Sequence, residues 1–385
     1  MAPVIIIGAG LAGWTTAREF RKLDASTPLM LISADSADFY AKPSLSNAVA
    51  QGRTPERLVT TPAAKMAETQ NLTLLANTRV TAIDTQARSI STTAGQFEYS
   101  QLVLATGAQP IRLPLDGDAS GQVLAINSLD DFARFHKQLV AAEPATKKRI
   151  LIMGAGLIGC EFANDLAAAG HSVIVVDPST GPVAALLPEA AGAEIKAALA
   201  ALGVVWHFGA TVRSVNPTSA SSALQIELSN GQGCSADLVL SAIGLRADTA
   251  LAQAAGIACE RAVLVDRWLQ TSAPDVYALG DSAQYASAGN RALPFVMPIM
   301  SAAKALAATL AGTRTELAFA LMPVGIKTPA LPTVVAAPAP GTVGGWRQLE
   351  PGVWHFIDAA GQNRGFVLTG AQTARRMEQT KLVRS

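Results

Sequence analysis

Short β-branched runs that lead into glycine clusters recur along the chain. Val4 to Ile7 is an apolar run typical of a buried parallel strand, and Trp14 to Leu23 predicts a helix. Leu29 to Ser33 predicts a second strand, which completes a βαβ unit of about 30 residues. The same order returns between Arg149 and Val176. The pattern therefore predicts two copies of a parallel α/β unit, whose glycine clusters begin 146 residues apart.

Later segments complete this architecture. Gln101 to Ala105 and Leu238 to Ala242 are short apolar strands that end near a glycine, and each is expected to close one copy of the unit. From about Ala320 prolines alternate with β-branched residues, and aromatic strand candidates follow around Trp346 and from Val353 to Ile357. We therefore expect an α/β fold with two Rossmann-like dinucleotide-binding domains and a small C-terminal α+β domain.

Composition narrows the class of protein. The chain has 385 residues, half of them hydrophobic and 15% charged, which excludes disorder and allows two or three domains. Because it has 30 basic and 29 acidic residues, the chain is nearly neutral and has no overall electrostatic attraction to nucleic acid or to an anionic membrane. No apolar stretch reaches the roughly 18 residues of a membrane span, and the apolar N-terminus lacks the basic stretch of a signal peptide. Because three scattered cysteines suit a reducing compartment, we expect a cytoplasmic protein without membrane insertion.

The glycine clusters predict two phosphate sites. Gly8 to Gly13 and Gly154 to Gly159 both follow the GxGxxG pattern between a strand and a helix. The first glycine of this pattern makes a tight turn, the second admits a pyrophosphate and the third lets helix and strand pack closely. The phosphates lie at the helix N-terminus, where unsatisfied N–H groups favour negative charge. Two copies in this context predict two dinucleotides in one chain.

Acidic residues after each second strand indicate ribose binding. Asp177 lies 18 residues after Gly159, and residues 178–182 contain no Arg or Lys to meet a 2′-phosphate. We therefore expect NADH rather than NADPH, although Asp177 is also explained as a cap of the turn before Pro178. Asp35 follows the second strand of the first copy and could bind a ribose in the same way, and Ser33 or Ser36 could share that role.

Two dinucleotides in one chain favour a resident FAD and an exchangeable nicotinamide. The run from Asp275 to Asp281 predicts a strand that ends in Gly280-Asp281. This glycine would admit close backbone approach, and Asp281 could bind a ribityl hydroxyl. The alternative is a plain strand followed by an Asp-capped helix.

These motifs together resemble the two-dinucleotide flavoprotein family that includes glutathione reductase, the ferredoxin reductases of oxygenase systems and apoptosis-inducing factor. The resemblance covers about residues 1 to 320 and is carried by Gly8 to Gly13, Leu104 to Gly107, Gly154 to Glu161, Asp177, Ala242 to Gly244 and Tyr277 to Asp281. It implies that the first glycine motif and Gly280-Asp281 bind FAD, and that the second motif and its acidic residue bind NAD(P)H. It also implies a position close to the nicotinamide for Glu161, which is otherwise an ordinary first-turn charge.

Within the family, Phe39 to Ala48 and Val324 to Pro329 resemble the rubredoxin reductase branch. Oxygenase-type reductases carry Arg-Pro-Pro-Leu-Ser-Lys at the first of these segments, which this chain only partly matches. The resemblance implies that Lys42 and Pro43 lie beside the flavin and Lys327 near the same ring system. Either lysine is otherwise a solvated surface charge.

The cysteines argue against a thiol relay. Disulfide reductases of the family carry a Cys-x4-Cys pair just after the first βαβ unit, and this segment contains no cysteine. Cys160 lies inside a predicted helix and is expected to be core packing, while Cys234 and Cys259 lie in unrelated surroundings. Electrons are therefore expected to leave the flavin directly for an outside acceptor.

The resulting hypothesis is an enzyme, an NADH:rubredoxin oxidoreductase. NADH would give hydride to FAD, and electrons would pass one at a time to rubredoxin. The protein would position two rings and tune the flavin potential, with Lys42, Glu161 and Lys327 as the catalytic candidates. Because rubredoxins are small and acidic, the basic tail from Arg375 to Arg384 and the cluster from Lys147 to Arg149 are candidate docking faces.

Three alternatives remain open at this point. A reductase for a [2Fe-2S] ferredoxin of an oxygenase system differs only in the acceptor. A redox-sensing flavoprotein that acts by partner binding would turn over slowly with every one-electron acceptor. A nonenzymatic duplicated scaffold would purify colourless rather than yellow.

The residue-level predictions are specific. The FAD-binding domain is expected to comprise residues 1–112 and 245–320, the NAD(H)-binding domain 113–244 and the C-terminal domain 321–385. The four histidines show no metal-ligand spacing, so no metal is expected. The predicted cofactor-binding residues are Gly8, Gly10, Leu11, Ala12, Gly13, Ser33, Asp35, Lys42, Pro43, Val80, Ala105, Thr106, Gly107, Gly154, Gly156, Leu157, Ile158, Gly159, Glu161, Asp177, Gly244, Gly280, Asp281 and Lys327.

Overall fold

The computed structural model describes residues 2–140, 147–218 and 223–384. The chain divides into two compact units, which are described separately. The first unit comprises Met1–Ala41, Val59–Gln109 and Leu245–Met322. The second unit comprises Lys42–Leu58, Pro110–Gly244 and Pro323–Ser385.

A five-stranded parallel sheet forms the centre of the first unit. Its middle strand, Val4–Ile7, is buried along its whole length, as expected where both faces of a parallel sheet are covered. The strands follow in the spatial order Val276–Ala278, Gln101–Leu104, Val4–Ile7, Leu29–Ile32 and Thr73–Leu75. The first loop helix, Leu11–Leu23, follows the central strand and packs against the Val296–Leu310 helix.

Smaller elements complete the first unit. The helices are Ala63–Thr69 and Ala250–Ala254, with 3-10 turns at Gly280–Ser282 and Ala286–Ala288. Val80–Asp84, Ser89–Thr92 and Gly95–Glu98 form an antiparallel sheet, and the remaining short strands are Phe39–Tyr40, Val59–Thr61, Ala108–Pro110, Leu245–Ala247, Val263–Val265 and Ala283–Tyr285.

The second unit repeats the parallel sheet. Its strands follow in the order Leu124–Ala125, Leu238–Ser241, Arg149–Met153, Ser172–Asp177 and Val205–Phe208. The second loop helix, Leu157–Ala168, follows the central strand of this sheet. The other α-helices are Pro55–Leu58, Leu129–Leu139, Glu189–Ala201 and Arg376–Leu382, and the 3-10 turns are Lys42–Asn47, Ser120–Gln122 and Gly370–Arg375.

Two antiparallel sheets also belong to the second unit. The three-stranded sheet consists of Val212–Pro217, Leu224–Leu228 and Gly233–Ala236. The C-terminal five-stranded sheet follows the order Val324–Ile326, Thr333–Ala336, Asn363–Thr369, Val353–Asp358 and Gly344–Glu350. Phe366 and Leu368 are fully buried in its core.

The architecture confirms the predicted fold class of two Rossmann-like domains with a small C-terminal antiparallel domain. The first loop helix begins at Leu11, three residues before the predicted start, because the glycine motif itself forms the first helical turn. The strand before the Gly-Asp motif ends at Ala278 rather than at the motif. No helix in the described part of the chain is long and apolar enough to cross a membrane.

Candidate functional site

The first glycine loop has the geometry that the sequence pattern predicts. Gly8 has φ +109°, and a Cβ built there would lie 2.2 Å from the Ala105 carbonyl oxygen. A Cβ at Gly13 would lie 1.9 Å from the Gly8 carbonyl oxygen. At Gly10, by contrast, a Cβ meets no described atom within 4 Å. The first and third glycines therefore serve close packing, whereas the second borders open space of the kind a pyrophosphate needs.

The first loop helix presents its N-terminus to this loop. Gly10 is the N-cap residue, and no side chain of the described residues caps the helix. The first turn contains no acidic residue. Trp14 N–H makes the first helical bond, to the Gly10 carbonyl, so the preceding N–H groups are those that an anion can use.

The Gly-Asp motif lies against this helical turn. Gly280 has φ +79°, and a Cβ built there would lie 3.0 Å from the Cβ of Ala12. The Gly280 N–H donates to the hydroxyl of Tyr285 at 2.8 Å, and Tyr285 is fully buried. Asp281 follows in a half-buried position. The structure therefore brings the glycine loop and the Gly-Asp motif of the first unit together.

Ser33 and Asp35 form one cluster at the carboxyl end of the Leu29–Ile32 strand. The Ser33 hydroxyl donates to Asp35 Oδ1 at 2.6 Å, and the Ala37 N–H donates to the same oxygen at 3.0 Å. The contact joins the two residues that the sequence offered as alternatives for one role. Ribose binding by this pair stays a prediction.

The remaining predicted residues of the first unit follow its strands. Ala105 is buried against Gly8, and the Thr106 hydroxyl donates to the Asp248 carbonyl at 3.0 Å. Gly107 has φ +72° and accepts a bond from the Asp248 N–H. Val80 begins its strand and packs at the edge of the hydrophobic core.

The second glycine loop repeats the first almost contact for contact. Gly154 has φ +103°, and a Cβ built there would lie 2.7 Å from the Ala242 carbonyl oxygen. A Cβ at Gly159 would lie 1.9 Å from the Gly154 carbonyl oxygen. A Cβ at Gly156 meets no described atom within 4 Å. Both loops thus offer the same open position in front of a helix.

The turn after the second loop is partly exposed. Leu157 is half-buried, and Ile158 is exposed despite its apolar side chain. The second loop helix has Gly156 as N-cap, with no side-chain cap among the described residues and no acidic residue in its first turn. Gly244 follows the neighbouring strand with φ +117°, and its carbonyl accepts the Ile111 N–H.

Asp177 holds the second loop in place. Its Oδ2 accepts the Ala155 N–H at 2.6 Å, and its Oδ1 accepts the Ser179 N–H at 2.7 Å. The carboxylate therefore caps the turn after its strand and also fixes the glycine loop. It is half-buried, and a role toward a ribose stays a prediction.

A cavity of about 290 Å³ opens at the carboxyl edge of the second parallel sheet. Met153, Ser241 and Ala125 line it, and each of them is the last residue of its strand. Arg112 adds a positive charge to the lining. Ligands of open α/β sheets bind at this edge, which is also where the second glycine loop begins.

Glu161 lies in the interior of the second unit. It is the fifth residue of the second loop helix and 3% exposed, so the interpretation as an ordinary first-turn charge is wrong. Its carboxylate pairs with the Lys327 ammonium and accepts the Lys327 N–H at 2.9 Å and the Ser46 hydroxyl at 2.6 Å. The Lys327 ammonium also donates to Ser46 at 2.9 Å, so three side chains form one closed network. Lys327 is therefore an ion-pair partner and not a solvated surface charge.

Lys42 is more exposed than Lys327 and has a different hydrogen-bond partner. It and Pro43 are exposed at the start of a 3-10 turn of the second unit. The Lys42 ammonium donates to Asn127 Oδ1 at 3.2 Å within the same unit. Proximity of these two residues to a flavin stays a prediction.

Cys160 packs in the core as predicted. Its side chain is fully buried, and the thiol donates to the Ala155 carbonyl. Burial raises the pKa of the Cys160 thiol to about 12, which makes the thiolate inaccessible at neutral pH.

Sequence reasoning missed four polar residues of these sites: Ser46, Asn164, Asp165 and Tyr285. All four are at most 3% exposed, and they hold main-chain or carboxylate groups beside the predicted residues. A signal existed for Asn164 and Asp165, because they follow Glu161 at helical spacing in a helix otherwise made of small and apolar residues. Tyr285 gave no such signal, since a tyrosine in a short strand is ordinary.

Comparison with known families identifies the class of protein to which these sites belong. Residues 2–308 match the family model described as pyridine nucleotide-disulphide oxidoreductase. The chain belongs to this family. Residues 316–383 match a second model, the rubredoxin binding C-terminal domain.

Two individual relatives are similar to this chain over nearly its whole length. The chain is 41% identical over 384 residues to the rubredoxin-NAD(+) reductase of Alcanivorax borkumensis, covering 99% of this chain and 98% of that one. It is 42% identical over 392 residues to the rubredoxin-NAD(+) reductase of Acinetobacter baylyi, covering 100% and 98%. Among solved structures, the covalent putidaredoxin reductase–putidaredoxin complex matches the fold with a TM-score of 0.88 at 23% identity, covering 99% of this chain and 93% of that one.

Proposed function

We propose that the protein is an NADH:rubredoxin oxidoreductase that uses FAD. The observation that carries the proposal is the pair of glycine loops, each with an open second glycine in front of an uncapped helix N-terminus within the described residues. FAD, when bound, accepts a hydride from NADH and passes the electrons on singly. Two cradles of this kind in one chain fit one resident and one exchangeable dinucleotide.

Residues of the first unit would hold FAD. The N–H groups at the start of the first loop helix would bind its pyrophosphate, and Asp35 would accept bonds from ribose hydroxyls. Asp281 would meet the ribityl chain, since Gly280 lies against the same helical turn. The boundaries that we propose for this domain are residues 1–112 and 245–320.

Residues of the second unit would hold NADH. The Gly154–Gly159 loop would bind the pyrophosphate, while Asp177 keeps the loop closed through Ala155. The absence of Arg and Lys from residues 178–182 favours NADH over NADPH. We propose residues 113–244 as this domain and 321–385 as the C-terminal domain.

Charge beside the rings is the protein's remaining contribution. Because Glu161 neutralises Lys327, this lysine would shift a flavin potential less than an isolated lysine would. The Lys42 ammonium donates to Asn127 Oδ1, and we keep both lysines as candidates for tuning the potential.

Rubredoxin is proposed as the acceptor because two relatives, each matched over 98% of its length, are named rubredoxin-NAD(+) reductase and because residues 316–383 match the rubredoxin binding C-terminal domain. Part of the basic tail is internally neutralised, since Arg375 pairs with Glu350 and Glu378. We expect rubredoxin to dock through a small surface and to be steered to that surface by charge. A cytoplasmic location is part of the proposal, since three free cysteines suit a reducing compartment.

The test is NADH-driven reduction of a panel of purified rubredoxins and [2Fe-2S] ferredoxins by the yellow holoprotein. We expect rubredoxins to be reduced fastest, and we expect higher ionic strength to slow them while NADH oxidation by ferricyanide stays nearly constant. Faster reduction of the ferredoxins would instead support the alternative function, a ferredoxin reductase of an oxygenase system. Slow turnover with every acceptor would contradict an electron-transfer enzyme.

A further inference from the structure

The second loop helix carries a row of three buried polar side chains. Glu161, Asn164 and Asp165 are each 3% exposed, and their spacing of three and four residues places them on one helical face. The remaining buried positions of this helix are small or apolar. Burying three polar groups along one helix is costly unless each of them binds a partner.

Asp165 and Asn164 bind main-chain N–H groups of distant segments in the same unit. The two Asp165 oxygens accept the N–H groups of Val49 at 2.9 Å and Ala50 at 3.0 Å. Asn164 Oδ1 accepts the N–H of Ala330 at 3.0 Å. The sequence separations are 115 residues or more, so these bonds fix tertiary position rather than local structure.

The two segments fixed in this way are those that supply the partners of Glu161. Residues 42–50 carry Ser46, and residues 323–331 carry Lys327. Ser46 precedes Val49 by three residues, and Lys327 precedes Ala330 by three residues. The bonds made by Asp165 and Asn164, which we call clamps, therefore hold the main chain three or four residues beyond the side chain that contacts Glu161.

The charge on Asp165 is retained at a cost. Desolvation raises the pKa of this carboxyl to about 6, even though two N–H donors and the positive charge of Lys327 favour the ionised form. An apolar side chain would avoid that cost but would leave the N–H groups of Val49 and Ala50 without an acceptor. The arrangement is thus suited to position main chain rather than to maximise stability.

We infer that Asp165 and Asn164 are positioning residues for hydride transfer, which fix residues 42–50 and 323–331 so that Ser46 and Lys327 hold Glu161 in place. The inference rests on the proposed function, and it takes from the family resemblance that Glu161 lies close to the nicotinamide. In the described hydrogen bonds neither Asp165 nor Asn164 contacts the glycine loop, so this positioning of chain segments does not involve the pyrophosphate site.

The experiment compares full-length, FAD-loaded wild type with Asp165→Asn and Asn164→Ala. Amide hydrogen exchange at residues 49, 50 and 330 reports on the clamps directly. Stopped-flow reduction by NADH separates the limiting rate of flavin reduction from the Kd of NADH. Asp237→Asn is the matched control, because Asp237 Oδ2 likewise accepts a main-chain N–H, from Arg149 at 2.8 Å in the same unit, but lies outside the row.

We expect faster exchange at residues 49 and 50 in Asp165→Asn and at residue 330 in Asn164→Ala. The limiting rate should fall roughly ten- to a hundredfold in each variant, since misplacement by about 1 Å has effects of this size. The NADH Kd should stay within about twofold, and Asp237→Asn should match wild type in both kinetic constants.

Unchanged exchange at the clamped amides, or an unchanged limiting rate, would overturn the inference. If one variant fails to accumulate as holoprotein, the other still decides, because each tests a separate segment. A wild-type holoprotein that NADH does not reduce would instead contradict the proposed function, and the exchange measurement would still test the clamps.

Discussion

The two loop helices begin with the same cradle but differ in what their buried faces hold. The first loop helix buries Trp14, Ala17 and Phe20 and bonds distant segments through donor groups. The Trp14 indole N–H donates to the Ala37 carbonyl, the Thr15 hydroxyl to the Met300 sulfur, and the Arg21 guanidinium to the Gln70 and Asn71 carbonyls. The second loop helix binds chain segments 115 residues or more away through Glu161 and its two polar neighbours. The glycines therefore define a phosphate site, whereas the helical face behind them determines which parts of the chain are organised around it.

The largest effect is expected where a glycine Cβ would meet main chain. Gly159→Ala places a Cβ 1.9 Å from the Gly154 carbonyl oxygen, so strand and helix must separate. We expect a loss of about 3 kcal/mol or more in the free energy of unfolding. Flavin reduction by NADH should fall by about a hundredfold or more while FAD stays bound. Gly13→Ala has the same contact in the first loop and should instead abolish FAD retention.

Gly156→Ala is the control that separates packing from binding. Its φ of −72° suits alanine, and the added Cβ meets no described atom within 4 Å. Urea unfolding should therefore differ from wild type by no more than about 0.5 kcal/mol. The NADH Kd should nevertheless rise about tenfold, because the methyl group enters the space assigned to the pyrophosphate. A wild-type Kd in Gly156→Ala would contradict the cradle.

The buried charge of the second loop helix predicts a pH-dependent stability. Asp165 has a pKa of about 6 in the folded protein and about 3.9 when unfolded, so the folded state binds its proton more tightly. The contribution of Asp165 to stability should therefore fall by about 3 kcal/mol as pH rises from 4 to 6, and stay constant above that range. The difference between wild type and Asp165→Asn in urea unfolding should change with pH by this amount.

Asp237→Asn provides the opposite sign. The hydrogen bond from Arg149 lowers the pKa of Asp237 below its ordinary value, so this carboxylate stabilises the fold as pH rises through the acid range. The difference between wild type and Asp237→Asn should grow with pH. Parallel pH curves for wild type and Asp165→Asn would show that Asp165 is not a buried charge.

Strands and glycine turns of both units could be predicted from the sequence, whereas the buried polar network of the second unit could not. Strands such as Val4–Ile7 and Arg149–Met153 were predicted with their observed bounds, because buried parallel strands are continuous apolar runs. The glycine roles followed from local geometry alone. The network of Glu161, Ser46 and Lys327 could not be predicted from contacts along the chain, since its members come from three distant segments. Only the family resemblance indicated two of its three residues, and it gave no reason to pair them.

Lys327→Met tests the network at its ion pair. Glu161 would keep the Ser46 hydroxyl and the Lys327 main-chain N–H but lose its countercharge. Because the Lys327 side chain is 32% exposed, we expect a loss of about 2 kcal/mol, less than for a fully buried pair. Lys65→Met is the control, since its pair with Glu68 is exposed and worth no more than about 0.5 kcal/mol. Unchanged flavin potential and unchanged acceptor reduction in Lys327→Met would remove this lysine from the site.

The smallest effect is expected in the first unit, where a matched pair of tyrosines isolates the contribution of one hydroxyl, which accepts the Gly280 N–H and donates to the Gly280 carbonyl. Tyr285 is fully buried and accepts the Gly280 N–H, so Tyr285→Phe leaves that N–H without its partner and loosens the turn beside the first glycine loop. We expect a loss of about 1 kcal/mol and about a fivefold rise in the FAD Kd of the reconstituted apoprotein. Tyr99 is also buried, but its hydroxyl has no hydrogen-bond partner among the described residues. Tyr99→Phe should therefore leave FAD affinity unchanged, and equal effects of the two substitutions would show that the Tyr285 hydroxyl does not hold the Gly-Asp turn.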